Sequence, residues 1–314
     1  MDLADIRTGE RRTLSVQVAA DTAAVMVTHD GERFLRQQCE SIFRGDLLPA
    51  VLIVVDDGSR DGSRDLLRDL ARSAPIPVEL ILADGSTIFD GSNIANQKSR
   101  VARNVVLGLA AAAQYEIVVL SDQDDEWLVD RLARQREVLR NDASAMLVAG
   151  DGILIDEAGR ETGSRLRDSF PAPRDWATLD AAARARAALR APFVTGAASA
   201  LTMALARLMQ PLPGGWLPDR WATLLAVACN GLVLQSEPVI RYRIHEEQAL
   251  GQRQARVGAG ERRWRQVRAR GAGPIEAAVR AAQVVRRIGP IATDPDVRRE
   301  LSWRAVLGSA IERS

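Results

Sequence analysis

The chain of 314 residues is long enough for one large domain or for a main domain with an appendage, and its 46% hydrophobic content excludes disorder of the whole chain. With 42 basic and 41 acidic residues the net charge is +1, which argues against a dedicated nucleic-acid-binding protein. Two cysteines and two histidines exclude a disulfide framework and a three-histidine zinc site.

The sequence indicates neither a membrane-spanning nor an exported protein. No apolar run reaches the length of a membrane-spanning helix, and residues 1–12 are not followed by the apolar core of a signal peptide. We therefore expect a cytoplasmic protein.

Strands and helices alternate through the first part of the chain. Continuous apolar runs predict strands over residues 23–28, 51–55, 78–82 and 117–120. Amphipathic spacing predicts intervening helices over residues 31–43, 61–72 and 98–113. This alternation predicts an α/β fold with a mostly parallel central sheet flanked by helices.

The middle of the chain is less regular. Helices are predicted over residues 128–139, 180–190 and 220–229, and strands over 146–155 and from Val233 and Val239. Residues 193–208 are rich in Gly, Ala and Ser, which permits close packing but predicts no particular element. We expect a short N-terminal extension over residues 1–20 and a main domain over residues 21–251.

The C-terminal region, residues 252–314, is basic, with 14 arginines against 6 acidic residues. Its apolar spacing predicts helices over residues 275–288 and 297–311. Two interpretations stay open for this basic helical C-terminal region. It is either a helix pair packed on the main domain or a surface that contacts an anionic membrane or a partner.

Polar and acidic residues follow three of the predicted strands, at 28–30, 56–59 and 121–125. The carboxyl ends of parallel strands share one edge of the sheet, where such folds bind ligands, so we expect these residues to form one site. Its carboxylates repel one another unless a cation or hydrogen-bond donors compensate them.

The strongest signal at this edge is Asp122-Gln123-Asp124, directly after the fourth strand. Carboxylates on alternate residues of a turn can converge on a hard cation, and Mg²⁺ or Mn²⁺ then keeps positions for phosphate oxygens. The alternative is an acidic start to the helix over 128–139, which explains Asp125 and Glu126 but not Asp122.

Three common motifs are absent from the sequence: G-x-G-x-x-G, G-x-x-x-x-G-K-[ST] and G-x-S-x-G. Their absence argues against a Rossmann dinucleotide site, a P-loop kinase and an α/β-hydrolase nucleophile elbow.

Four segments together resemble the family 2 glycosyltransferases of the type-A nucleotide-sugar fold: VMVTHDGERFLRQQCESI, IVVDDGSRDGS, VARNVVLGLAAA and VVLSDQDDEWLVDRL. The unbroken SDQDD-x-W and the later LPDRW and YRIHEEQALG resemble the bacterial rhamnosyltransferase-like members of polysaccharide biosynthesis. The likeness covers roughly residues 20–251 and implies a nucleotide-binding half over 21–127 and an acceptor half over 128–251. The family commonly has Tyr-Asn where this chain has His29-Asp30.

The resemblance implies roles for individual residues of the nucleotide-binding half. The nucleotide pocket would be lined by Thr28, His29 and Glu32, and Asp57 would hold a pyrimidine base. Arg103 and Gln123 would contact the nucleotide sugar. Asp122 would touch the ribose or a metal ion, and Asp124 would bind Mn²⁺ or Mg²⁺.

In the acceptor half the resemblance implies that Asp219 is the catalytic base, although an acidic residue there also suits the start of a helix. His245 either completes the metal site or contacts the diphosphate, or is a polar residue at a strand end. Trp216 and Trp221 are candidates for stacking on acceptor sugars, or else core residues.

The implied activity is a metal-dependent, inverting transfer of a sugar from a UDP- or dTDP-sugar, with rhamnose as one candidate. The acceptor would be a saccharide or a lipid-linked saccharide of cell-surface polysaccharide synthesis, at the inner face of the cytoplasmic membrane. Two alternatives stay open. One is a non-catalytic nucleotide-sugar-binding protein of the same fold, and the other is a nucleotidyltransferase, although residues 28–33 lack the glycine-rich phosphate loop that such enzymes usually need.

Overall fold

The computed structural model describes residues 17–83, 94–245, 252–254, 264–266, 274–303 and 305–306. Its first half is a run of alternating strands and helices, as the sequence predicts. The elements are β1 (Gln17–Thr28), α1 (Glu32–Phe43), β2 (Leu47–Asp56), α2 (Ser63–Ser73), β3 (Val78–Leu82), α3 (Ile94–Ala111) and β4 (Ile117–Ser121).

The second half adds shorter strands and more helices. They are β5 (Glu126–Trp127), α4 (Arg131–Asn141), β6 (Leu147–Ile155), β7 (Glu161–Arg165), α5 (Leu166–Ser169), α6 (Ala181–Arg190), β8 (Ser199–Thr202), α7 (Met203–Leu208), α8 (Pro218–Ala228) and β9 (Leu232–Arg243). Within the described residues, nine strands form one sheet in the order β3-β2-β1-β4-β8-β6-β9-β5, with β7 beside β6.

The sheet is mostly parallel. β3, β2, β1 and β4 run parallel, and so do β6 and β9, whereas β8 is antiparallel to both of its neighbours. Residues 51–55 of β2 are buried throughout, as expected for a strand covered by helices on both faces. α3 lies very close to the sheet at Gly108, where a Cβ would overlap the side chain of Val25.

In the middle of the chain the structure adds one strand and corrects one prediction. The small residues of 193–208 include a strand, β8, inserted between β4 and β6. The two strands predicted from Val233 and Val239 are one strand, β9, whose pairing with β6 is irregular around Pro238. Proline has no N–H to donate, so the strand continues past it only with a local change of register.

The C-terminal region is not helical throughout. β10 (Gln252–Gln254) and β11 (Trp264–Gln266) form an antiparallel pair. α9 (Pro274–Gln283) then continues into a π-helical turn (Val284–Ile288), and α10 (Pro295–Glu300) follows. Ala281, Val284 and Ile288 share a buried cluster with residues of α8, so these helices complete part of the hydrophobic core. Among the described residues no helix combines the length and apolar character needed to cross a membrane.

A partly buried ion pair ties β1 to α4. Asp21 accepts two hydrogen bonds from Arg136, at 2.8 and 2.9 Å, and one from Arg140 at 3.1 Å. The Arg136 hydrogen bond is the largest of the effects that hold the pKa of Asp21 below its usual value. A depressed carboxylate pKa contributes stability above the unfolded-state pKa, and this stability is lost as the pH falls through the folded-state pKa.

Asp21→Asn is therefore expected to lower the free energy of unfolding by about 1–2 kcal/mol at pH 7. The difference from wild type should shrink as the pH falls below about 4, when the wild-type carboxylate also loses its charge. Urea unfolding across this pH range measures the effect. Asp69→Asn, which removes an exposed partner of Arg72, is the control and should change little. An Asp21→Asn effect that does not depend on pH would contradict this explanation.

Candidate active site

Gln123, at the carboxyl end of β4, fixes the loop that follows β1. Its amide oxygen accepts hydrogen bonds from the Thr28 hydroxyl (2.7 Å) and the His29 N–H (2.8 Å). Its amide nitrogen donates to the His29 carbonyl at 3.1 Å. The structure thus brings these three predicted residues together, with Gln123 as the support of the other two.

Gly31 leaves the space that this support needs. A Cβ at Gly31 would overlap the amide oxygen of Gln123 and lie 2.9 Å from the Thr28 hydroxyl oxygen. The backbone at Gly31 has an ordinary negative φ, so the conflict is one of space alone.

We expect Gly31→Ala to displace the Gln123 side chain and break its hydrogen bonds. The expected loss is about 1–2 kcal/mol of unfolding free energy, because a hydrogen-bonded group loses its partners. Thermal denaturation measures it, with Gly214→Ala as the control, because nothing lies within 4 Å of a Cβ at Gly214. Equal stability of the two variants would contradict the supporting role of Gln123.

The carboxylate of Asp57, directly after β2, is held by two arginines of α3. Arg100 Nε donates to Asp57 Oδ2 at 2.7 Å, and Arg103 Nη2 donates to Oδ1 at 2.8 Å. Arg100 Nη2 and His29 Nδ1 both approach the Asp57 carbonyl, at 3.1 and 3.0 Å. Arg100 Nη2 also lies 3.3 Å from His29 Nδ1, so the Arg100 guanidinium contacts both Asp57 and His29.

Asp30 and Glu32 brace the loop after β2. An oxygen of Asp30 accepts from the Arg60 N–H at 2.7 Å, and one of Glu32 accepts from the Gly62 N–H at 2.9 Å. The Glu32 N–H in turn donates to Asp61 at 3.0 Å. Glu32 was predicted to line the nucleotide pocket. In the structure its side chain contacts the backbone of the loop after β2.

Four carboxylates lie beside the end of β4: Asp122, Asp124, Asp125 and Asp219. Asp122 is exposed to solvent, although many protein atoms lie around its carboxylate. Burial and the neighbouring charges of Asp124 and Asp219 raise the pKa of Asp122 to about 7. Burial, together with Asp124 and Asp122, also raises the pKa of Asp125 well above its usual value. The raised pKa values indicate that the surrounding protein groups do not fully compensate the negative charge of these carboxylates.

Two fully buried arginines compensate part of this charge. Arg243, the last residue of β9, donates to the Asp124 carbonyl (2.8 Å) and to Glu126 (2.8 Å), and its N–H donates to Asp125. Arg131 donates at 2.8 Å to the carbonyl of Leu120, which lies in β4 just before these carboxylates. Burial lowers the pKa of Arg131 to about 9, so it remains charged at neutral pH.

Asp124 and His245 face each other, with Oδ2 and Nε2 2.7 Å apart and both side chains almost fully buried. Adjacent ligands of an octahedral cation with 2.1 Å bonds lie about 2.9 Å apart, so this pair fits two positions of a Mg²⁺- or Mn²⁺-type site. The predicted third ligand, Asp122, does not join them: no group of three or more His, Cys, Asp or Glu side chains among the described residues is placed to hold a metal.

Asp219 lies at the start of α8, near enough for its charge to act on Asp122. Its Oδ1 accepts from the Arg220 N–H at 2.6 Å, and the Gly196 N–H also donates to its carboxylate. Burial raises the pKa of Asp219 despite these hydrogen bonds. Leu217 occupies the helix N-cap position, so Asp219 is not the capping residue, although its carboxylate accepts from the first turn.

Trp216 and Trp221 are core residues in this structure, which contradicts the prediction that they stack on an acceptor. Trp221 has no exposed surface and Trp216 is 9% exposed. Their ring centroids lie 5.3 Å apart, and both belong to the cluster that receives the C-terminal helices.

Sequence reasoning did not identify Arg100 or Arg243. The spacing of Arg100 and Arg103, one helical turn apart, would have placed both on one face of α3. The position of Arg243 two residues before His245 places both on the same face of β9 as it reaches the site.

A family model described as Glycosyl transferase family 2 matches residues 23–201. Residues 1–349 of S. aureus TarS in complex with UDP-GlcNAc share 14% identity with the chain, over 94% of this chain and 73% of that 1–349 chain, with a TM-score of 0.56. The longer S. aureus TarS structure aligns at 12% identity over 93% of this chain and 43% of that chain, with a TM-score of 0.55.

The mannosyltransferase PcManGT from Pyrobaculum calidifontis, in complex with GDP-Man and Mn²⁺, is 18% identical over 95% of this chain and 74% of that chain, with a TM-score of 0.49. In two further TarS structures the chain spans only 60% and 61% of the other protein's length. No curated protein matches the sequence.

The likeness to TarS shows the fold: an α/β domain of the type-A glycosyltransferase kind, with a mostly parallel sheet flanked by helices. The family model covers more than half of the chain and includes the ends of β1, β2 and β4, where the candidate site lies. The chain therefore belongs to glycosyl transferase family 2.

Proposed function

We propose that this protein is a metal-dependent, inverting glycosyltransferase that uses a UDP- or dTDP-sugar as donor. The observation that carries the proposal is the convergence of Asp122 and Asp124, which follow β4, with Asp219, which lies far from them in sequence; the charges of Asp124 and Asp219 both act on Asp122. A protein that no longer binds a cation or activates an acceptor has no need to keep these charges together.

In the proposed complex the nucleotide lies against the ends of β1 and β2. Asp57 accepts the N3–H of uracil or thymine, since each of its oxygens has a second lone pair besides the one that meets an arginine. Thr28 and His29, held by Gln123, form the adjacent wall. Arg103, which donates to Asp57 at 2.8 Å, would contact the nucleotide sugar from the same side.

Asp124 and His245 would hold Mn²⁺ or Mg²⁺, and Asp122 would contact the ribose or a metal-bound water. When bound, the cation supplies positive charge to the diphosphate as it leaves. The chain contributes only two ligands by its described residues, so phosphate oxygens and water would complete the coordination.

Asp219 would take the proton of the acceptor hydroxyl. Its raised pKa makes it a stronger base than an ordinary aspartate, which suits this role. A single displacement from the side opposite the diphosphate inverts the anomeric centre and needs no covalent nucleophile. Rhamnose remains one candidate for the sugar.

The acceptor in this proposal is a saccharide or lipid-linked saccharide of cell-surface polysaccharide synthesis, reached at the inner face of the cytoplasmic membrane. The basic C-terminal region and the 43% exposed Trp303 support contact with anionic lipid. Co-sedimentation with vesicles containing phosphatidylglycerol, and its absence with pure phosphatidylcholine vesicles, tests this part.

The main experiment is thermal unfolding with UDP, dTDP and GDP, each with and without Mn²⁺, followed by a product assay with the matching nucleotide sugars. Binding to the native state raises the midpoint by mass action. We expect UDP or dTDP to stabilise only with the metal, and free nucleoside diphosphate to be released on transfer. Release of pyrophosphate would instead identify a nucleotidyltransferase, and binding without turnover a non-catalytic binding protein.

A further inference from the structure

The segment before Asp219 is held in place by the C-terminal helices. We call residues 210–217, which lead from α7 into α8, the entry loop. Trp216 Nε1 in this loop donates to Gln283 Oε1, the last residue of α9, at 2.7 Å. Arg287 in the π-helical turn donates to the carbonyl oxygens of Gln210 (3.2 Å) and Pro211. Both ends of the entry loop are thus fixed by one short stretch of chain.

Stacking contacts accompany these hydrogen bonds. The guanidinium of Arg287 lies 5.5 Å from the ring of Trp221, and that of Arg280 lies 5.9 Å from the ring of Trp216. The two indoles flank Asp219 in sequence and pack against each other. The start of α8, which carries Asp219, is therefore positioned in part by the arginines that pack against these indoles.

The neighbouring Arg286 provides a contrast. Arg286 is exposed. The hydrogen bonds to the carbonyls of Gln210 and Pro211 come from Arg287 and not from Arg286. The support therefore comes from Gln283, Arg287 and the ring contact of Arg280, and not from every basic residue of this region. Both residues also lie outside residues 23–201, the part that the family model covers.

We propose that Gln283 and Arg287 are positioning residues for catalysis, which hold the entry loop so that the Asp219 carboxylate faces the donor. The inference rests on the proposed function, in which Asp219 is the base. A misplacement of a reacting group by about 1 Å can cost on the order of 10²-fold in rate, so loss of this support should act on the chemical step.

The test uses the full chain with Gln283→Met and Arg287→Met. Each variant is expected to lower kcat by about 10- to 100-fold, while the donor KM and the affinity for the nucleoside diphosphate stay within about two-fold of wild type. Arg286→Met is the matched control and should keep wild-type kcat. Gln283→Glu retains an oxygen that accepts from the Trp216 N–H, and it should recover most of the kcat that Gln283→Met loses.

Hydrogen exchange of the amides in residues 210–219 gives a readout that does not depend on turnover. We expect faster exchange there in Gln283→Met and Arg287→Met than in wild type or Arg286→Met. If both variants keep the wild-type kcat and the wild-type exchange rates, the inference is overturned. It is also overturned if the loss of kcat is matched by an equal loss of nucleotide affinity or of folded protein. If wild type transfers no sugar, or Asp219→Asn keeps its kcat, the proposed function fails instead, and exchange still reports on the support itself.

Discussion

Asp219→Asn is expected to lower kcat by about 10²- to 10⁴-fold while fold and donor binding are kept. The asparagine oxygen can still accept the Arg220 N–H, which meets Asp219 Oδ1 at 2.6 Å in the wild type, so the start of α8 keeps this hydrogen bond. What the variant loses is the capacity to take a proton from the acceptor. Steady-state kinetics with the donor chosen by thermal shift measures the loss.

The pH profile separates this explanation from a structural one. Burial raises the pKa of Asp219, so the acid limb of the wild-type kcat profile is expected above about 3.9, the usual value for aspartate. Activity should fall as the pH drops through this limb, and Asp219→Asn should lack it. Asp180→Asn, at an exposed N-cap of α6, controls for loss of a helix-start carboxylate. Near-wild-type kcat in Asp219→Asn would remove Asp219 from the mechanism.

Asp124→Asn should cost about 10²- to 10³-fold in kcat and remove the response to Mn²⁺. The variant keeps the shape of the side chain but not the charge that, with His245 at 2.7 Å, would hold the cation. A chelator is expected to lower wild-type activity to a similar level and to leave Asp124→Asn almost unchanged, because the two treatments remove the same interaction.

Asp130→Asn is the control for Asp124→Asn, since Asp130 lies close in sequence but pairs with Arg134 at the surface. It should respond to Mn²⁺ as wild type does. If chelator-treated wild type transfers sugar at its full rate, the Asp124–His245 pair acts as a hydrogen bond and not as a metal site.

Most of the parallel half of the sheet could be predicted because β1, β2 and β4 each contain a buried apolar run next to a clear helical pattern, whereas β3 is partly exposed. The starts of two strands were missed: β1 begins at Gln17, and β2 begins at Leu47, before Pro49, which locally reads as a strand breaker. β8 could not be predicted, because Ser199–Thr202 shows neither a long apolar run nor a strong alternation. Its strand conformation is imposed by β4 and β6 on either side.

The acidic part of the site could also be predicted, since a helix start explains Asp125 and Glu126 but not a carboxylate directly after a buried strand, such as Asp122. Of the arginines, Arg103 was a candidate, but Arg100 and Arg243 were not identified. Of 42 basic residues in the chain all but Lys98 are arginines, so a buried, functional arginine such as Arg243 looks like any surface arginine in the sequence. The sequence left open whether Trp221 is a core residue, because its cover comes from helices more than fifty residues later, and only the tertiary structure shows where they pack.

The shared core of α8 and the C-terminal helices has a consequence for how this protein can vary. Trp216 donates to Gln283, and Trp221 packs under Arg287, across more than sixty positions of sequence. A smaller or differently shaped residue in α8 or the entry loop leaves a void or an unpaired polar atom in the C-terminal helices, and the reverse also holds. Neither part therefore tolerates change alone. Among sequences that keep this arrangement, substitutions at 216 and 221 should therefore covary with those at 283 and 287, and chimaeras that exchange only one side should fold poorly.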